Sequence, residues 1–255
     1  MPELPDIDVY VESLERRILG TVLNRLTLNN PFLLRTAVPP IASAEGRRTV
    51  GVRRMGKRIV ISLEEDFHLV MHLMVAGRLK WLAKTAKRPA KSALAIFEFD
   101  SGTLVMTEAG TQRRASLHFV SGESAVQALH AGGLEIFELD LASFSARLKA
   151  ENHTLKRALT DPAIFSGIGN AYSDEILHRA QLSPIAMTSR LSDDEISRLF
   201  DATRTALREW TERLRLEAAD SFPDKVTAFR DDMAVHGRFG QPCPRCGSPV
   251  QRIVY

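Results

Sequence analysis

The strongest constraint on this chain's fold is a change of hydrophobic period part-way along it. From about Val22 to Val120, short runs rich in Val, Ile, Leu and Phe ("RIVISLEE", "FHLVMHLMV", "SALAIFEFD", "GTLVMTEAG") alternate with turn residues, the pattern of β-strands. Asp100-Ser101-Gly102 reads as a hairpin turn between two of them. From about Asn152 onward the apolar residues recur at helical spacing. Ser192-Asp193-Asp194-Glu195 is a capping-box signature, and it opens a helix with Ile196, Leu199, Phe200, Leu207, Trp210 and Leu214 inward. A first helix is predicted from Leu4 to Leu19. Ile7, Val11, Leu14 and Ile18 lie on one face, and Gly20 follows as a stop. Many short strands in series fold as an antiparallel sandwich or barrel. The expected class is therefore α+β and multidomain: an N-terminal helix plus an antiparallel β-sandwich, then a helical domain.

The 255 residues suffice for two domains. The expected boundaries are 1–133 for the helix and β-region, 134–151 for a linker, 152–220 for the helical domain and 221–255 for an irregular tail. A composition of 44% hydrophobic and 25% charged residues fits a folded soluble protein. No apolar run reaches bilayer length, so no membrane partner is expected. Met-Pro-Glu-Leu-Pro-Asp lacks the basic and apolar regions of a signal peptide, which makes the cytoplasm the expected location.

The net charge is only +3, but it is unevenly spread. Gly46 to Leu63 is free of acids and carries Arg47, Arg48, Arg53, Arg54, Lys57 and Arg58. A second acid-free stretch carries Arg78, Lys80, Lys84, Lys87, Arg88 and Lys91. Clusters of this kind neutralise phosphates or simply form a solvated face.

Three short constellations carry chemistry. Methionine before proline is normally removed, which would leave Pro2 as a secondary amine. An α-amine titrates at about 7.7–8.0, so part of it is unprotonated near neutrality and able to attack a sugar C1′. Glu3 beside it is placed to act as a proton donor. Taken alone, Pro-Glu is also an ordinary helix start. In "FSGIGNAYSDEIL", Gly167 and Gly169 allow close backbone approach ahead of a helix, whose free N–H groups suit phosphate, and Asn170 adds a side-chain donor. Cys243 and Cys246, the only cysteines, have the spacing of a metal knuckle rather than of a disulfide framework.

These motifs stand in an order that resembles the formamidopyrimidine-DNA glycosylase and endonuclease VIII family. "PELPDIDVYVESL" resembles its N-terminus, "VRRMGKRIVISLE" its strand bearing an essential lysine, and "HLMVAGRLKW" its void-filling loop. "TEAGTQRRASLH" stands at its intercalating loop, "LKRALTDPAIFSGIGNAYSDEILHRAQLSP" at its helix–two-turn–helix element, and "VHGRFGQPCPRCGSPV" at its zinc finger. The resemblance implies a helix–two-turn–helix domain over 152–220 and a lesion-loop region with a partial zinc finger over 221–255. It implies a monomer of the bacterial cytoplasm whose partner is double-stranded DNA with a damaged base or an abasic site. Pro2, Glu3 and Lys57 become the expected catalytic residues. Met74, Arg113, Arg114, Lys156, Gly169 and Asn170 become the expected DNA contacts, and Cys243 and Cys246 ligands of a structural Zn2+.

The chain also departs from that pattern. Leu-Gly-Met-Ser-Gly reads Leu73-Met74-Val75-Ala76-Gly77, so the methionine is displaced by one. Arg-Arg-Phe-Gly reads Arg113-Arg114-Ala115-Ser116, so the aromatic wedge is missing. The second Cys-x-x-Cys of the pattern does not occur in these 255 residues, so the finger is truncated and the zinc site incomplete within them. The expected activity is bifunctional: excision of an oxidised base through a Pro2 Schiff base, then strand cleavage by β,δ-elimination. A non-catalytic or lesion-altered DNA-binding relative is the alternative, and oxidised purines and pyrimidines both remain open as substrates.

Overall fold

Helix α1 (Leu4–Ile18) starts on a proline in its first turn, carries Asp6 at its positive end, and has Arg16 and Arg17 at its negative end. Gly20, at φ +76°, breaks it. The structure, a computed structural model, describes residues 1–84, 93–109, 113–223, 226 and 230–253. It divides into two units, Met1–His130 with Arg213–Val226, and Ala131–Glu212 with Thr227–Tyr255.

The first unit holds eight strands: β1 (Val22–Leu28), β2 (Arg47–Met55), β3 (Arg58–Leu63), β4 (Phe67–His72), β5 (Gly77–Leu82), β6 (Ala93–Phe99), β7 (Gly102–Glu108) and β8 (Ser116–Ser121). They pair in the order β5-β7-β6-β1-β2-β3-β4-β8, and every pairing is antiparallel. Among the described residues, only a short ladder, Val22↔Arg48 and Leu23↔Arg47, joins the two four-stranded halves. Both halves turn apolar faces to one core. Leu79, Phe97, Leu104 and Met106 come from one half, and Ile59, Ile61, Leu69, Leu117 and Phe119 from the other. Ile7, Tyr10, Leu14 and Ile18 of α1 join them. The β6–β7 hairpin turns at Asp100-Ser101, as expected, with Phe99 opposite Gly102. Helix α2 (Glu123–Gln127) follows β8.

The second unit is helical: α3 (Leu141–Lys149), α4 (Leu155–Thr160), α5 (Asn170–Ala180) and α6 (Asp193–Ala218), the last residues of α6 belonging to the first unit. The capping box at Ser192 forms, with Ser192 N–H donating to Glu195 Oε2 (2.9 Å) and Glu195 N–H to Ser192 Oγ (3.3 Å). Aromatic pairs fill this unit: Phe144 stacks on Phe165 at 4.8 Å, and Tyr172 meets Trp210 edge-on at 5.8 Å. The segment 134–151, read above as a linker, carries α3 and buries Ile136, Phe144 and Leu148. Its apolar residues are too few and too short-ranged for their periodicity to stand out in sequence.

Phe97 lies wholly within the first core. Phe97→Ala should cost about 3–5 kcal/mol of stability in a denaturant titration. A loss under about 1 kcal/mol would mean that the two strand layers close over the gap.

Candidate active site

The N-terminus approaches the core because α1 does. Glu3 stands at the N-cap of α1, and Glu3 and Asp6 are each only 2% exposed. The Glu3 backbone N–H donates to Asp6 Oδ2 at 2.9 Å. Pro2 is buried as well. Burial is the main cause that holds the Met1 amine below the ordinary α-amine value; Glu3 and Asp6 oppose the shift, and Arg78 and Lys57 add to it. Lys57 joins this cluster from a tight turn. Gly56 adopts φ +60° and Met55 pairs with Arg58, so Gly56-Lys57 forms a two-residue hairpin between β2 and β3. Lys57 was expected within a strand. The positive φ of Gly56 instead ends β2 one residue before Gly56 and presents the lysine at the hairpin tip. Burial lowers the Lys57 ammonium, against the pull of Glu3.

His72, at the end of β4, is a functional candidate that sequence reasoning missed. Burial, then the charges of Arg58, Lys57 and His118, push its pKa down to about 4, so the ring is neutral near pH 7. Its Nε2 is buried with no hydrogen-bond partner among the described residues. The available signal was its place directly before Leu73-Met74, at the end of an apolar strand.

The Leu73–Gly77 turn closes through Gly77 N–H to Leu73 O at 2.9 Å. Met74 takes φ +53° there and is half-buried, whereas Val75 at the tip is 60% exposed. The side chain offered outward is therefore Val75 rather than Met74. Arg113 and Arg114 are both exposed. The buried Glu108 carboxylate accepts the N–H groups of Arg114 (3.0 Å) and Ala115 (3.2 Å), which fixes the end of that loop. Residues 110–112 lie outside the described residues.

In the second unit, Gly167 adopts φ +86° and Gly169 caps α5, so Asn170 opens that helix with its side chain exposed. Lys156 Nζ donates to Asn170 O (2.8 Å), Ser173 Oγ (2.8 Å) and Asp174 Oδ1. Gly240 to Val250 folds as a small hairpin around the cysteines, with Cys243 N–H donating to Ser248 O at 2.8 Å. His178 Nε2 lies 3.3 Å from Cys243 Sγ.

The arginine-rich stretch is largely neutralised by acids remote in sequence. Arg47 pairs with Glu65 (2.7 Å), Arg53 with Glu123 (2.7 Å) and Arg54 with Asp8 (2.7 Å). Lys87, Arg88 and Lys91 lie outside the described residues.

The profile of the formamidopyrimidine-DNA glycosylase N-terminal domain matches residues 1–115, and that of the formamidopyrimidine-DNA glycosylase H2TH domain matches residues 135–216. The chain belongs to the formamidopyrimidine-DNA glycosylase family. A family member from Heliobacterium modesticaldum is 32% identical over 267 residues, spanning 99% of this chain and 94% of the relative. The crystal structure of MutM (Fpg) from Thermus thermophilus matches with a TM-score of 0.82 at 30% identity, covering 100% of this chain and 94% of that one. A Lactococcus lactis Fpg complexed with DNA containing an abasic site shares the fold, with a TM-score of 0.87 at 23% identity over 99% and 94% of the two chains.

The zinc expected for the family finds an incomplete ligand set. Among the described residues, no three His, Cys, Asp or Glu side chains are grouped to hold a metal. His236, the histidine seven residues before Cys243, is bonded to Asp174 Oδ2 through Nδ1 at 2.7 Å. Cys243 and Cys246 offer two of the four donors that a closed structural zinc site needs.

A Cβ on Gly77 would lie 2.2 Å from Leu73 O, a backbone atom that cannot swing away. Gly77→Ala should therefore cost about 1–3 kcal/mol and open the turn carrying Met74 and Val75. Thermal unfolding with amide exchange at residues 74–77 checks this, and wild-type values in both would refute it.

Proposed function

We infer that this protein is a base-excision repair enzyme of double-stranded DNA, a bifunctional glycosylase and abasic-site lyase. The observation that carries the reading is the grouping of the buried Pro2-Glu3 end of the chain with the half-buried Lys57 in a member of this family. A crystallised relative bound to abasic-site DNA supports the choice of partner. No helix among the described residues is long and apolar enough to cross a membrane. The curated relatives are bacterial, and we place the enzyme in the bacterial cytoplasm.

The chemistry starts once Met1 is removed, because an acylated Pro2 nitrogen is not nucleophilic. The Pro2 lone pair forms a bond to C1′ of the flipped nucleotide. The N-glycosidic bond breaks, and its electrons leave with the base, which gains a proton. Glu3 donates a proton to the ring oxygen as the ring opens, leaving an iminium between Pro2 and C1′. Loss of a C2′ proton then expels the 3′ phosphate, and a second elimination expels the 5′ phosphate. Pro2 is buried, and a desolvated amine favours its unprotonated, nucleophilic form. Lys57 supplies positive charge beside the reacting sugar, while Arg113, Arg114 and the Gly169-Asn170 helix start receive phosphates. Met74 and Val75 offer the apolar surface that a vacated base stack needs. Valine at the tip is a short wedge, so the departure bears on lesion choice.

Two outcomes are expected. Borohydride should link abasic DNA to a mature Pro2 terminus, with a rate that rises with pH as the amine loses its proton. Glu3→Gln should reduce base excision by about 10²–10⁴-fold, while cleavage at a preformed abasic site falls much less. An adduct mapped to a lysine, or equal loss of both activities, would refute the assignment.

We further propose Cys243 and Cys246 as half of a structural zinc site. Metal analysis of the 255-residue protein should find well under one zinc per chain, because two thiolates do not close a structural site. One chelator-resistant zinc per chain would overturn this.

A further inference from the structure

Two successive acids on α5, the half-buried Asp174 and the buried Glu175, bond within the second unit. Glu175, 7% exposed, accepts three consecutive backbone N–H groups: Ala234 (2.8 Å), Val235 (2.9 Å) and His236 (3.0 Å). Asp174 reaches two ways, accepting Lys156 Nζ on one oxygen and meeting His236 Nδ1 on the other at 2.7 Å. Burial acts to raise the Asp174 carboxyl, but hydrogen bonds from His236 and Lys156, with their charges, outweigh it and hold the group below its ordinary value. An ionised Asp174 accepts only, so His236 Nδ1 carries the proton between them.

Lys156 has three N–H donors, and three acceptors take them: Asn170 O, Ser173 Oγ and Asp174 Oδ1. Ser173 Oγ in turn donates to Gly169 O at 2.6 Å. The first turn of α5 is thereby braced from below, with the exposed Asn170 side chain at its top. On the other side of Asp174, residues 234–236 lead directly into the hairpin that carries Cys243 and Cys246.

We propose that Asp174 is a positioning residue for DNA engagement: through Lys156 it fixes the Gly169-Asn170 turn, through His236 it fixes the root of the cysteine hairpin, and Lys156 acts inside this relay rather than as a phosphate ligand. The proposal rests on the reading of the chain as a DNA-binding enzyme. Neither Asp174 nor His236 needs to touch DNA. Their effect is to keep two separately folded backbone segments in register on one helix, so that donors are set before DNA arrives.

The test uses the full chain and a fluorescent duplex containing a stable abasic-site analogue. Asp174→Asn should weaken binding roughly tenfold, because it breaks a charge-assisted network without emptying volume. Abasic cleavage at saturating DNA should be unchanged, so the loss falls on KM and not on kcat. Amide exchange should quicken at 170–173 and 234–236 together. His236→Asn, which keeps a donor, should retain most of the affinity, whereas His236→Phe should match Asp174→Asn. Lys156→Gln separates the two roles for the lysine. A lysine that neutralises a phosphate contributes about 0.9 to the slope of log K against log salt, so an internal brace should lose affinity at unchanged slope. A slope reduced by about 0.9 with unchanged exchange would overturn the proposal. So would wild-type affinity in both Asp174→Asn and His236→Phe. Failure of the wild-type protein to bind the duplex would instead sink the functional reading and this proposal together.

Discussion

Setting an amine, two carboxylates and a lysine in a poorly hydrated corner is unfavourable, and the packing of one helix holds them there. Ile7, Tyr10, Leu14 and Ile18 are fully buried in the core shared by both strand layers. Burying each such side chain is worth about 1.5–3 kcal/mol. Left to themselves, charged groups in that corner would move to water or change protonation state. The polar flank of α1 is tied as well: Arg54 pairs with Asp8 at 2.7 Å, and Arg215 with Glu12 at 2.6 Å. Glu3 stays buried because residues 7–18 cannot leave the core, and Pro2 has no freedom apart from Glu3.

Charge along the sequence proved a poor guide to charge in space. The stretch from Arg47 to Arg58 is free of acids, yet Glu65, Glu123 and Asp8 come in from the next turn, from α2 and from α1. Arg47 also lies over the Phe67 ring at 4.2 Å, which commits its cation to packing. A run of like charge on a strand alternates between two faces, and each face meets different neighbours. The cations that act on the N-terminal amine include Arg78 of β5 and Lys57, the latter placed by the turn at Gly56.

Periodicity and capping were legible from sequence. The strand runs, the Asp100-Ser101 turn and the Ser192 capping box all reflect interactions within a few residues. That the Pro2-Glu3 end opens a helix was legible too, since proline and an acid suit the first turn. Three features escaped for physical reasons. Lys57 moved from strand to turn because Gly56 accepts a positive φ. Val75 replaced Met74 at the loop tip because the close approach of Gly77 to Leu73 rotates the turn. The inward commitment of Lys156 depends on acceptors 14 to 18 residues away, beyond any local pattern.

The two lysines show how one residue type separates into two uses. Lys156 is satisfied three times over by protein acceptors, the condition under which a partly buried ammonium stabilises a fold. Lys57 is half-buried too, but among the described residues no acceptor is bonded to its ammonium, and burial lowers its pKa. A group left in that state destabilises the free protein and gains most from an arriving anion. His72 beside it, neutral and with a buried unbonded nitrogen, repeats the pattern. Around the start of α5 the bonding capacity of Lys156 is instead met within the protein, by Asn170 O, Ser173 Oγ and Asp174 Oδ1.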